Sequence, residues 1–197
     1  MRIRPRLLAA SLVVAVAVVV VFAWTQRDTG DDLDARLTDA SAVVTFPNDG
    51  LGNDDVEGDM LPDVMLLDSD DNEVATSELL GDTPLVINLW FSTCPPCARE
   101  LPYFAEVDAE TDDVTFYGVN TIDSVEVMER FAGERGVEYG LLRDWLAEFT
   151  DGVGAVAFPV TLFVTSDGTI VEQVGEVDAD ELRAGVENLI AIESERT

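Results

Sequence analysis

The apolar positions along this chain fall into blocks of different period, and the periods predict its elements. Leu7 to Trp24 is eighteen residues without a charge, a continuous run rather than one face of a helix. It lies at the short end of the roughly 17–25 residues that span a bilayer and exceeds the roughly 7–15 of a signal-peptide core. It predicts a membrane anchor, an N-terminal transmembrane helix over residues 7–24, behind a basic head at residues 1–6 that carries Arg2, Arg4 and Arg6. Val21-Phe22-Ala23 offers a cleavage site, so a removed signal is the alternative. Either way the arginines keep the head in the cytoplasm and the rest of the chain is exported. Residues 25–57 lack a sustained apolar period and are rich in acids, Gly and Asn. They read as a tether with one short strand at Ala42 to Phe46.

Regular patterning resumes at residue 58 and holds to about residue 194. Val64 to Leu67 and Glu73 to Ala75 are short strand candidates around Asp68-Ser69-Asp70-Asp71-Asn72, a hairpin turn by composition. A calcium loop would need a glycine and a terminal Glu at spacings that are missing here. Thr76 or Ser77 can cap a short helix through Leu80, ended by Gly81. Leu85 to Phe91 is nearly all apolar, which suits a strand buried on both faces. A helix is predicted from Pro96 to about Asp108, bent at Pro102, then a second buried strand from Val114 to Val119. Ser124 can cap a helix running to about Arg135, with Val127, Met128 and Phe131 facing inward. Asp144 to Phe149 is read as a short amphipathic helix. Val160 to Thr165 and Thr169 to Val174 form a hairpin about Asp167-Gly168. The last helix runs from Asp178 to about Glu193, and Asp178-Ala179-Asp180-Glu181 has capping-box spacing. This order predicts one α/β domain over residues 58–194, a central mixed β-sheet flanked by helices.

Charge and composition narrow what such a domain does. Forty acids face eleven basic residues, every one of them Arg, for a formal net charge of −29. Four of those arginines lie in residues 1–27, where there is no acid, so the remainder is more acidic still. Such a field repels nucleic acid and anionic membrane. It fits a solvated surface, or steering toward a basic partner. The chain has no His, which removes Ser-His-Asp and Cys-His catalysis, haem ligation by His and most zinc sites.

The only two cysteines are Cys94 and Cys97, placed where the strand ending at Phe91 turns into a helix. A cysteine at a helix N-terminus meets unpaired N–H groups and the positive end of the dipole, both of which favour thiolate, the nucleophilic form. Cys97 is one turn on, within disulfide reach, as the resolving thiol. Pro95 and Pro96 stiffen the turn between them. A structural disulfide across so short a loop would constrain little chain entropy, and a metal site would need ligands the chain lacks, so redox exchange is the chemistry expected and no cofactor is implied. Glu100 lies three residues past Cys97 on the same helical face. It can exchange a proton with the buried thiol, or it can be one more surface acid. Pro159 opens a strand, and a cis or a trans bond after Phe158 is compatible with that position.

The segment Asn88-Leu89-Trp90-Phe91-Ser92-Thr93-Cys94-Pro95-Pro96-Cys97-Ala98-Arg99-Glu100-Leu101-Pro102 resembles the active-site segment of membrane-anchored thioredoxin-like proteins, the TlpA/ResA-like family. Leu61-Pro62-Asp63, Gly118-Val119-Asn120 with Asp123, and Phe158-Pro159-Val160-Thr161-Leu162-Phe163-Val164 with Asp167-Gly168 extend the resemblance over residues 58–194. It implies a thioredoxin-like fold and an exported thiol–disulfide oxidoreductase acting on protein thiols and disulfides. In the role the family commonly plays, the protein is reductive, takes electrons from a membrane donor and includes apocytochrome c among its substrates. It implies Cys94 as attacking and Cys97 as resolving cysteine, Glu100 as active-site acid, and Pro159 as a cis-proline. Asn88 stands where cytosolic thioredoxins carry a buried Asp. The implied substrate contacts are Trp90, Thr93, Pro95, Pro96, Phe158 and Pro159. Thr93 departs from the Trp that is frequent before the first cysteine, and a small residue removes an aromatic wall beside the attacking sulfur. An oxidant or isomerase of secreted proteins is the alternative within enzymes; a thiol copper carrier is the non-catalytic one, since two thiolates suit Cu(I).

Overall fold

A computed structural model describes residues 52–196; the expected head, anchor and Ala42–Phe46 strand lie outside the described residues. Among the described residues no helix is long and apolar enough to cross a membrane. The elements are β1 (Met65–Leu67), β2 (Glu73–Ala75), α1 (Thr76–Leu79), β3 (Leu85–Trp90), α2 (Pro95–Asp108), β4 (Thr115–Asn120), α3 (Val125–Gly133), β5 (Gly140–Arg143), α4 (Glu148–Gly152), β6 (Val160–Val164), β7 (Ile170–Val174) and α5 (Ala179–Arg196).

They build one seven-stranded mixed sheet in the order β2-β1-β5-β4-β3-β6-β7. The run expected to be buried on both faces, β3, lies inside the sheet: all six residues are buried. It pairs in parallel with β4 and antiparallel with β6. Its side chains alternate between two packed layers. Leu85, Ile87 and Leu89 enter a cluster with Leu66, Phe149, Leu162 and Val164. Val86 packs on the other face with Phe104 and Leu182 of α2 and α5, and Trp90 packs there with Leu101 of α2 and Met128 of α3. Asn88 belongs to that second face by the same alternation, so an amide is placed inside an apolar layer.

Local signals set the helix starts. Ser124 accepts the Val127 N–H at 3.4 Å and opens α3. The capping box forms at α5: Asp178 accepts the Glu181 N–H at 3.0 Å, and Glu181 accepts the Asp178 N–H at 2.9 Å. Pro102 does not end α2. It lacks the N–H that would bond Ala98, and the Arg135 guanidinium donates to the Ala98 carbonyl instead, at 3.4 Å. The acids of the β1–β2 turn are used within the turn, since the Asp68 carboxylate accepts the Asp70 and Asn72 N–H groups.

Three expectations need correction. The helix placed over Asp144 to Phe149 starts later, at Glu148, and a strand precedes it at Gly140–Arg143. Ala147 has φ 58°, which breaks any helix there. Asp144 is buried and caps α4 from a distance, accepting the Phe149 and Thr150 N–H groups at 3.2 and 2.8 Å and the Thr150 hydroxyl at 2.6 Å. Thr76 does not cap α1; its hydroxyl donates to the Pro62 carbonyl at 2.6 Å. The tether assigned to residues 25–57 gives up its end to the folded unit. Val56 is buried in the core, and Asn53 accepts the Val156 and Ala157 N–H groups at 2.8 and 2.7 Å.

Candidate active site: a dithiol at a helix N-terminus

The site is at the carboxyl end of β3. The chain leaves Trp90 and turns through Phe91, Ser92 and Thr93. It enters α2 with Cys94 as N-cap and Pro95 and Pro96 in the first turn, where a missing N–H costs nothing. Asp123, from the loop after β4, holds this turn. Its carboxylate accepts the Ser92 N–H at 2.7 Å and the Ser92 hydroxyl at 2.6 Å, and also the Asn120 amide at 2.8 Å.

Cys94 and Cys97 are joined in a disulfide. The two sulfurs differ in access: Cys94 is 5% exposed and Cys97 not at all. The Cys94 sulfur also accepts the Cys97 N–H at 3.3 Å, one of the donors a helix N-terminus leaves open. A nucleophile from outside therefore meets Cys94, and the thiolate released on it would face a donor already in place.

Beneath the disulfide is an aromatic stack. Trp90 lies at 5.7 Å from Phe131 with the rings 19° apart, and the Arg135 guanidinium lies over the Phe131 ring, 3.4 Å from its centroid. Trp90 is fully buried. The expectation that it contacts substrate is corrected: it supports the disulfide from below. Pro159 is buried as well, after the cis bond from Phe158. Phe158 is half-buried, packs against the cluster holding both cysteines, and meets Phe91 edge-on at 5.4 Å. Of the remaining expected contacts, Thr93 and Pro95 are exposed and Pro96 is half-buried. The face open beside Cys94 is thus formed by Thr93, Pro95, Pro96 and Phe158.

Glu100 is fully buried, so its reading as a solvated surface acid falls. It enters the interior from α2 one turn past Cys97. Asn88 donates its amide to one carboxyl oxygen at 2.8 Å, and the Val177 N–H reaches the other at 3.3 Å. Burial pushes its pKa up to about 8, against the lowering effect of these two bonds and with a further rise from the charge of Glu176. Arg99, the neighbour of Glu100, pairs with Glu176, the neighbour of Val177, through bonds of 2.7 and 2.9 Å. Two successive residues of α2 are thereby tied to two successive residues of the β7–α5 turn. The sequence carried no signal for Val177, because a backbone N–H has no side-chain signature. Ser92 and Asp123 were visible only through the resemblance.

A mixed sheet with a disulfide at the N-terminus of the helix that follows its inner strand defines a thioredoxin-like dithiol protein. Comparison with known proteins gives the family: a model described as Redoxin matches residues 56–190, and the chain belongs to that family. Among named relatives, the thiol-disulfide oxidoreductase ResA of Bacillus subtilis (strain 168) is 26% identical over 120 residues, which is 60% of this chain and 66% of the relative. The chain thus matches just under two thirds of that protein's length. Among solved structures, MTB dsbF is similar with a TM-score of 0.59 and 29% identity, over 64% of this chain and 95% of that one. A secreted Mycobacterium tuberculosis disulfide oxidoreductase homologous to E. coli DsbE is similar with a TM-score of 0.58 and 25% identity, over 64% and 96%. The chain is a ResA-like member of the thioredoxin-like proteins.

Proposed function

We propose that this chain is a thiol–disulfide oxidoreductase acting on protein substrates, with Cys94 as the exchanging sulfur. The observation that carries the reading is the unequal pair: one cysteine with slight exposure at a helix N-terminus, the other wholly buried one turn before a buried acid. In the reductive direction, the Cys94 thiolate attacks a substrate disulfide and forms a mixed disulfide, releasing one substrate thiolate, which takes a proton from water. Cys97 then attacks the Cys94 sulfur, the second substrate thiolate leaves, and the enzyme disulfide closes. Two electrons pass to the substrate. The proton of the Cys97 thiol goes to the Glu100 carboxylate. Burial brings the Glu100 carboxyl up to about 8, far closer to thiol basicity than an ordinary carboxyl, which suits it to take that proton. A second dithiol must return the two electrons.

The uncharged run and the family resemblance support a proposal for place and partners. Residues 7–24 anchor it, and the catalytic domain stands on the extracytoplasmic side, supplied by a membrane electron donor. The reductive direction is the one implied by the resemblance of the dithiol segment to the TlpA/ResA-like family, and apocytochrome c is the proposed substrate; its basic character would complement the acidic domain.

The test is a trap. Cys97→Ser in the full-length chain, expressed in its host, should accumulate proteins disulfide-linked to Cys94, with exported thiol proteins among them. Recovery of nothing but a donor would overturn the substrate class. The reduction potential decides direction: a value near about −120 mV, that of a strong oxidant, would overturn the reductive reading.

A further inference from the structure

Both oxygens of Glu100 face donors, Asn88 Nδ2 on one side and the Val177 N–H on the other. This arrangement suits a carboxylate, which only accepts. Yet Glu100 is fully buried, and burial favours the neutral acid, whose O–H must donate. As arranged, that O–H has no acceptor. One is available on the same amide that now donates. Asn88 is fully buried. Its Nδ2 is shared between Glu100 and the Thr161 hydroxyl, at 2.8 and 3.3 Å, while its Oδ1 has no partner. A buried amide oxygen without a partner costs stability, and here it sits on a side chain that can turn by half a revolution at its terminal torsion.

We propose that Asn88 is a positioning residue for Glu100 whose amide turns over as Glu100 gains or loses its proton, donating to the carboxylate and accepting from the acid. In the carboxylate state Nδ2 serves Glu100 and Thr161, as observed. In the acid state Oδ1 takes that place and accepts from the Glu100 O–H and from the Thr161 hydroxyl, which reverses by rotating its own hydrogen. No bond to either neighbour is lost in either state; one amide atom goes without a partner in each. The proton of Glu100 is therefore exchanged without stranding its carboxyl, which a fixed donor such as Val177 cannot achieve. The other groups set about Glu100 are the Glu176 carboxylate paired to Arg99, the Tyr139 hydroxyl whose ionisation Glu100 opposes, and the Cys97 sulfur on its own helix. None of them takes the place of Asn88: Glu176 only accepts, Cys97 is held in the disulfide, and the Tyr139 hydroxyl, which could donate and accept, makes no hydrogen bond to Glu100 among the described residues.

The inference deepens the proposed function and rests on Glu100 as the acid of that site. It is tested on the full-length oxidised chain by NMR, with the Asn88 side-chain amide and the Glu100 carboxyl carbon followed together from about pH 5 to 10. In the wild type the Asn88 NH2 resonances should move with the same midpoint as Glu100. Contacts from that NH2 to the Thr161 methyl should be present above the midpoint and lost below it. Contacts unchanged across the titration of Glu100 would overturn the proposal. Asn88→Ala removes a partner from both forms of Glu100, so the midpoint should move by less than the roughly one pH unit that loss of a hydrogen bond to the charged form alone would give; an upward move of a full unit or more would mark Asn88 as a fixed donor and overturn the proposal. Insulin reduction by the wild type is run in parallel. An inactive wild type would overturn the oxidoreductase reading and leave the Asn88 result standing, whereas an active one with an unresponsive amide would overturn the Asn88 proposal alone.

Discussion

Replacing Glu100 with Gln removes one titration from the interior and leaves a side chain of nearly the same shape. Glu100 goes from its ordinary value of 4.5 to about 8 in the folded chain. Between those values the folded chain holds a proton that the unfolded chain has released. Stability from this group is therefore fully present below about pH 4.5, falls as pH rises, and levels off above about pH 8. The slope is about 1.4 kcal/mol per pH unit. From pH 5 to pH 8 the loss comes to about 3–4 kcal/mol, allowing for partial titration at both ends. Many other acids titrate as well, but they do so in both proteins and cancel in the difference. Gln adds an offset of its own, since its amide must compete with the Asn88 and Val177 donors, but that offset does not change with pH. The assay is urea unfolding of the oxidised wild type and Glu100→Gln at pH 5, 6, 7 and 8. The mutant should gain on the wild type at each step upward. A difference that stays constant to within about 0.5 kcal/mol from pH 5 to pH 8 would refute the burial argument and with it the assignment of Glu100 as a base matched to a thiol.

Asp123→Ala removes the acceptor for the Ser92 N–H, the Ser92 hydroxyl and the Asn120 amide. It should cost about 1–3 kcal/mol in urea unfolding and slow insulin reduction by loosening the turn that presents Cys94. Gly118→Ala puts a methyl 2.9 Å from Trp90 Nε1, 3.0 Å from Leu141 and 3.3 Å from Tyr139. The cost should be about 1–3 kcal/mol of overpacking, with a changed Trp90 emission, since Trp90 has no space to retreat beneath the disulfide. Glu176→Gln removes the like charge that raises Glu100 and frees Arg99. Both effects favour the carboxylate, so the Glu100 midpoint should move down, read by NMR. Unfolding free energy should scarcely change, because the Arg99–Glu176 pair is exposed.

How far these residues were legible depended on whether their partners were near in sequence. The caps Ser124 and Asp178 are bonded to residues three positions on, and both were read correctly. The run Leu85 to Phe91 announced its own burial because nearly every position is apolar, and the Cys94–Cys97 spacing announced the chemistry. Gly140–Arg143 gave no comparable signal: Leu141 and Leu142 are its only apolar residues, and its pairing with β4 is parallel and so non-local. The turn after it was mistaken for a helix because Asp144 caps at a distance of five and six residues, outside the spacing of any capping box. The resemblance implies Trp90 as a substrate contact. Alternation along β3 puts it instead on the inward face with Val86 and Asn88, under α2.

Glu100 is the case where sequence reasoning stops for a physical reason. Its spacing from Cys97 fixes the face of α2 it occupies but not whether that face is wet. Dryness is decided by the β7–α5 turn, which places Val177 on the inner side of the carboxyl and Glu176 on the outer side with Arg99, residues 77 positions away along the chain. An exposed acid at the same helical position would remain near its ordinary value and could not take a proton from a thiol. The chemistry expected of Cys94 and Cys97 follows from residues that are adjacent in sequence. The chemistry expected of Glu100 exists only because the chain returns, through β6 and β7, to close over it.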